Sequence, residues 1–237
     1  MSFWHDSEAR KNFKNVFNRD TLEALYQLAD SDAFQVMHGF VKEGKESNVC
    51  VAEREDGTPV AVKIYMVEAG NYQEMEKYLL NDPRFENLGN SHRDVIHAWC
   101  RKEFKNLKRA SNAGVSAPEP IDFLQNVLVM EFIGDKLRPA PRVKDVVFEE
   151  PEREFEDIIE DMRRLWQDED MVHGDLSEYN LLWKQRPYMI DLSQAVVRHH
   201  PLAEELLERD VENVVNHFNQ RYGFEKEYGD VIERIQS

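Results

Sequence analysis

The hydrophobic period changes partway along the chain, and that change restricts the possible folds more than any single motif. Before about residue 134, short apolar runs sit at strand spacing. Val36, His38, Phe40 and Lys42 alternate with Met37, Gly39 and Val41, the run Asn48 to Glu53 continues the pattern, and Val60-Ala61-Val62-Lys63-Ile64-Tyr65 follows the turn signal Asp56-Gly57. These three runs predict a three-stranded antiparallel sheet. A further hairpin through Gln125-Asn126 leads into Val127 to Met130. Beyond the polar, proline-bearing stretch from Gly134 to Pro151 the period lengthens to that of a helix. Phe155, Ile158, Ile159, Met162, Leu165 and Trp166 form one stripe, and Leu202, Leu206, Val211, Val214, Val215 and Phe218 form another. An α+β chain is expected, with a sheet-rich lobe over 34–133 and a helical lobe over 134–237.

Ahead of the first lobe, residues 1–33 read as a helical element, its clearer helix opening at Asp20 with Glu23 three positions on in a capping-box pattern. A second helix is predicted from Asp94 to about Ala113, stopped by Gly114. The intervening residues 66–93 are polar and broken by Gly70, Pro83 and Gly89, so they read as a mobile insertion with one short helix near 71–80. Charge and hydropathy limit the partners. With 46 Asp and Glu against 30 Lys and Arg, the net charge of −16 disfavours adhesion of the whole surface to nucleic acid or anionic lipid. No apolar run approaches the roughly 20 residues of a membrane span, and residues 1–20 carry charges throughout, so neither membrane nor export is indicated and a cytoplasmic location is expected. Cys50 and Cys100 read as packing residues in a reduced compartment. His92, His97, His199 and His200 lack the spacing of metal ligands.

Three constellations carry chemistry. His173-Gly174-Asp175-Leu176-Ser177-Glu178-Tyr179-Asn180 places a carboxylate and, five residues on, an amide, and Asp191 follows the apolar run Tyr188-Met189-Ile190. One carboxylate at an incoming hydroxyl, with an amide and a second carboxylate holding Mg²⁺ on phosphates, is the requirement of phosphoryl transfer. Taken singly, Asp175 could equally cap a turn and Asp191 a helix. Lys63 interrupts an apolar strand and needs a partner. Glu103 stands between Trp99 and Leu107 at i, i+4 and i+8, so it points inward and supplies one. Read without Asp175, this pair is as consistent with a structural salt bridge. Third, Glu43-Gly44-Lys45-Glu46-Ser47-Asn48-Val49 can turn backbone N–H groups, Lys45 and Ser47 toward phosphates, although with one glycine it also fits a plain hairpin turn. Val49, Ala61, Met130 and Ile190 are apolar where a flat base would lie, and Met130-Glu131-Phe132-Ile133-Gly134 would offer main-chain groups of Glu131 and Ile133 to adenine. Arg101, Lys102, Lys105, Lys108 and Arg109 read as the polar side of the Glu103 helix, a solvated face that could also dock a phosphate backbone.

The segments GKESNV, AVKIY, MEFIG, HGDLSEYN and IDLSQAV, in that order over about residues 20 to 221, resemble the RIO family of atypical protein kinases, with the last two closest to its type-one branch. The resemblance implies a trimmed bilobal protein-kinase-like fold and ATP with Mg²⁺ (or Mn²⁺) as cofactors. It further implies Ser/Thr phosphorylation with autophosphorylation, and a role in maturing the small ribosomal subunit, whose protein and rRNA would be partners. By position, Lys63 would contact phosphates, Glu131 and Ile133 adenine, Asp175 the acceptor, and Asn180 and Asp191 the metal. Asp191-Leu192-Ser193 replaces D-F-G and no A-P-E follows, so an ATPase-type assembly switch with a transient aspartyl-phosphate at Asp191 is the alternative. Ser91, the only Ser or Thr within 66–93, is the expected self-phosphorylation site. The short C-terminal end is similar to the compact archaeal form of the family.

Overall fold

In the computed structural model, residues 16–67, 72–80, 82–85, 89 and 91–237 are described. The short helices expected within residues 1–15 lie outside the described residues, as do positions 68–71, 81, 86–88 and 90 of the insertion whose mobility was expected. The chain divides into two compact units. One comprises Met1–Leu79, Asn87–Phe104 and Glu119–Pro139, and the other Leu80–Glu86, Lys105–Pro118 and Ala140–Ser237.

The first unit opens with α1 (Arg19–Asp30). Its cap is Asn18, not Asp20: the Asn18 side chain accepts from the Thr21 N–H at 2.9 Å, while Glu23 pairs with Arg19 at 2.8 Å. Extended backbone at Asn18 lets its short amide reach the first turn, so the capping pattern begins two residues earlier than the box at Asp20 implies. Strands β1 (Val36–Lys42), β2 (Ser47–Glu53) and β3 (Pro59–Tyr65) follow as predicted, each antiparallel to the next. Two helices come next, α2 (Tyr72–Leu79) and α3 (His92–Asn112), the latter continuing past Phe104 into the second unit. The strands β4 (Pro120–Leu124) and β5 (Val127–Glu131) then complete a five-stranded sheet in the order β1-β2-β3-β5-β4. The expected sheet of three therefore gains the separate hairpin, because Val127 and Val129 supply the same apolar face as β3.

The pleat sorts β3 into two roles. Val60, Val62 and Ile64, with Cys50, Ala52, Val127 and Val129, pack on Ala24, Leu25 and Leu28 of α1. The opposite face takes Ala61, Lys63 and Tyr65, opposite Val51, Val49 and Ser47 on β2. The unit ends in a small hairpin of β6 (Gly134–Asp135) and β7 (Arg138–Pro139). Gly134 is required there, since a Cβ would collide with the Arg138 carbonyl and the Phe132 ring.

In the second unit, α4 (Pro151–Asp168) begins with proline in its first turn and acidic residues beside it, a favourable start for the helix dipole. Short antiparallel pairs follow: β8 (Met171–Val172) with β11 (Val196–Val197), and β9 (Leu181–Trp183) with β10 (Pro187–Met189). Helix α5 (Ala203–Tyr222) is stopped by Gly223 in the left-handed region, and α6 (Tyr228–Gln236) lies beyond it. Sequence reading gave no element for α6. Its Val231 and Ile235 are buried, and the Gln167 side chain of α4 donates to the Ile235 carbonyl at 2.9 Å. Among the described residues, no helix is long and apolar enough to cross a membrane.

Candidate active site

Lys63 is buried on the sheet face that carries Ala61 and Tyr65. Its Nζ lies 2.8 Å from Glu103 Oε1, and the Tyr65 hydroxyl donates to Glu103 Oε2, so both carboxylate oxygens are engaged. Glu103 is fully buried, as the Trp99–Glu103–Leu107 stripe requires. Tyr65 was missed, although its place two residues after Lys63 puts both side chains on one face of the strand. Ala61 and Met130 are paired across β3 and β5, and Val51 stands opposite Ala61 on β2. Ile133 and Phe132 are buried just after β5, and the Glu131 N–H is occupied by the Glu119 carbonyl at 2.8 Å.

Between β1 and β2, the Asn48 side chain accepts from the Gly44 N–H at 3.1 Å and closes the loop that bears exposed Lys45. A Cβ at Gly44 would approach the Ser47 carbonyl to 2.9 Å, which accounts for the loop's single glycine. Ser47 is the first residue of β2, opposite Tyr65.

The second unit holds the other candidates in one hydrogen-bonded knot. Asn180 Nδ2 donates to the Asp175 carbonyl at 2.8 Å and to Asp175 Oδ2 at 3.0 Å, which turns the amide oxygen away from Asp175. The Asn180 carbonyl accepts from the Ile190 N–H at 3.0 Å, and His173 Nε2 lies 3.1 Å from the Ile190 carbonyl. Asp191, next in the chain, takes φ 67, and Ser193 Oγ donates to its Oδ1 at 2.9 Å. A non-glycine residue in that region is strained and persists where its surroundings hold it.

Sequence reading missed the support beneath this knot. Asp210 is fully buried on α5 and accepts from the N–H groups of Gly174 at 2.7 Å and Leu176 at 2.8 Å, so it grips both sides of Asp175. Arg209 donates to the Gly174 carbonyl and Asn213 Nδ2 to the Leu176 carbonyl at 2.9 Å. Burial pushes the Asp210 carboxyl up to about 7 despite the two N–H donors and Arg209. The signal was available: Leu206, Asp210 and Val214 repeat the i, i+4, i+8 pattern that exposed Glu103. Gly174 takes φ 79, a value that suits glycine in the strained link before Asp175.

Two readings of the α3 cations need correction. Lys102 is buried, 5.1 Å from the Trp99 ring centroid and 5.9 Å from that of Tyr78, and Arg109 pairs with Glu169 at 2.8 Å. The aromatic surface of Trp99 and Tyr78 draws Lys102 inward, so the solvated face keeps Arg101, Lys105 and Lys108 only. Both cysteines are buried, and burial raises each thiol above its ordinary range. Among the described residues, no group of three or more His, Cys, Asp and Glu side chains is placed to hold a metal ion.

A RIO-domain family model matches residues 48–231, from the start of β2 into α6. The chain belongs to the RIO family. RIO-type serine/threonine-protein kinases Rio1 of Haloferax volcanii and Methanocaldococcus jannaschii are 45% and 42% identical over 217 and 215 residues. The alignments cover 91% and 90% of this chain, and 74% and 73% of those proteins, which places it in the Rio1 branch of these protein kinases. A crystal structure of a Rio2 kinase–ADP/Mg²⁺–phosphoaspartate complex from Chaetomium thermophilum aligns with a TM-score of 0.67 at 22% identity. It covers 90% of this chain, which spans 66% of that one, and it shows the shared bilobal α+β kinase fold.

Proposed function

We propose that this RIO domain transfers the γ-phosphoryl group of ATP to a serine or threonine hydroxyl, with Mg²⁺ or Mn²⁺ as cofactor. The carrying observation is the knot in which Asn180 donates to Asp175 while its main chain holds Ile190, the residue before Asp191. Asn180 and Asp191 supply the hard oxygens that a small divalent cation prefers, and they would hold it on the phosphates. The cation, when bound, neutralises charge that builds on the phosphoryl oxygens. Asp175 accepts the hydroxyl proton as the acceptor oxygen bonds to the γ-phosphorus, and the bond from that phosphorus to the β–γ bridging oxygen breaks to release ADP. Lys63, held by Glu103 and Tyr65, orients phosphate oxygens, with Lys45 and Ser47 as further phosphate contacts. Ala61, Met130 and the main chain of Glu131 and Ile133 receive the base. Radiolabel transfer from ATP to protein should fall at least about 100-fold in Asp175→Asn while Mg²⁺-ADP still raises the melting temperature. Full transfer by that variant would remove Asp175 from its role.

The second reading is an ATPase-type switch in which a carboxylate oxygen of Asp191 attacks the γ-phosphorus, ADP leaves, and water later hydrolyses the acyl phosphate. The phosphoaspartate named in the Rio2 complex favours it. Hydroxylamine-labile label that vanishes in Asp191→Asn would support it; label stable to hydroxylamine and mapped to serine would support the first. Self-phosphorylation is assigned to Ser91, whose exposed hydroxyl donates to Asp94 Oδ2 at 2.6 Å at the start of α3. Phosphate mapped by mass elsewhere than Ser91 would reject that detail. A maturing small ribosomal subunit, with its protein and rRNA, is proposed as the partner, and the cytoplasm as the location, on family resemblance alone.

A further inference from the structure

The segment Leu80–Glu86, within the stretch that reads as a polar insertion, belongs to the unit that contains Asp191. Asp82 and Phe85 are buried in it. A buried carboxylate persists when it is paired. Asp82 is paired by Arg84, whose Nε lies 2.9 Å from Oδ1 and whose Nη2 lies 2.7 Å from Oδ2. The remaining arm of the guanidinium reaches farther: Arg84 Nη1 donates to Asn106 Oδ1 at 2.9 Å.

That contact fixes which way the Asn106 amide faces. With its oxygen committed to Arg84, its Nδ2 points at main chain, donating to the Leu192 carbonyl at 2.8 Å and the Ala195 carbonyl at 3.0 Å. Those carbonyls bracket the turn directly after Asp191, which the Ala195 N–H closes on Leu192 at 3.2 Å. Asn106 is itself fully buried on α3. On the other side of Asp191, His173 and Asn180 hold Ile190. The strained φ of 67 at Asp191 is thus clamped from both directions, and the following side depends on Asn106.

We propose that Asp82, Arg84 and Asn106 are positioning residues for Asp191, setting how tightly the protein holds the divalent cation of its nucleotide. They act by fixing the turn that aims the Asp191 carboxylate, and they tie the cation's hold to the burial of Asp82 and Phe85. The proposal rests on the reading of Asp191 as a metal-holding residue.

The test uses the whole chain, ADP and Mg²⁺, with thermal stabilisation as the readout, so that turnover plays no part. In Arg84→Ala the Mg²⁺ concentration for half-maximal ADP stabilisation should rise about tenfold, the range typical of residues that orient a metal ligand, while ADP affinity in EDTA stays within about twofold. Arg84→Lys keeps a cation on Asp82 but cannot span Asp82 and Asn106 together. It should recover the melting temperature more completely than the Mg²⁺ dependence. A lowered melting temperature in Arg84→Ala with an unshifted Mg²⁺ curve overturns the proposal and leaves the metal reading standing. If the wild type shows no Mg²⁺ dependence, or Asp191→Asn leaves that dependence unchanged, the metal reading falls and takes the proposal with it.

Discussion

Lys63 and Glu103 form a buried ion pair at 2.8 Å, and removing one partner would leave the other's charge uncompensated. Lys63→Met should therefore cost about 3 kcal/mol of folding stability by stranding Glu103. The double variant Lys63→Met/Glu103→Leu should regain most of it in urea denaturation and still transfer no phosphate. Recovery of activity along with stability would reduce the pair to a structural bridge. Asp210 gives a second prediction. Folding raises its carboxyl from 3.8 to about 7, so between those values the folded chain holds a proton that the unfolded chain has released. Stability from this group accordingly falls as pH rises from about 4 to about 7. Asp210→Asn should flatten that part of the melting temperature's pH profile and slow phosphoryl transfer, because an amide cannot accept from both the Gly174 and Leu176 N–H groups. An unaltered pH profile would contradict it.

Elements were legible where a run was long enough to show either its period or an unbroken apolar character. β1 to β3, α4 and α5 met that condition, and α3 was found with its inward Glu103. The sheet's true width was not, since β4 and β5 join β3 across more than fifty residues of chain and pairing at that range leaves no local mark. α6 escaped because only Val231 and Ile235 of its nine residues are buried, too few to announce a period. The candidate residues divide in the same way. Asp175, Asn180, Asp191 and Lys63 stand out as polar residues beside apolar runs, whereas Arg84 and Asn106 acquire meaning only through contacts distant in sequence. Ile235→Ala should lower stability by about 3 kcal/mol, measured by denaturation midpoint, because its fully buried side chain anchors α6 on α4. A change below about 0.5 kcal/mol would mean that α6 is dispensable to the fold.

For the whole chain, the net charge of −16 sets the terms of any encounter with RNA. With Lys102 buried and Arg109 paired to Glu169, the exposed cations left on α3 are too few to reverse that charge. Random-sequence RNA should fail to shift this protein in a gel at about 150 mM salt. Micromolar binding there would point to a basic surface that the charge total conceals. The buried cysteines have a practical corollary. Since both thiols are sealed and held protonated, the native molecule should ignore maleimides and mild oxidants. Glu43→Cys, in the loop closed by Asn48, would then accept a fluorophore at one address, ready to register a nucleotide's arrival in real time.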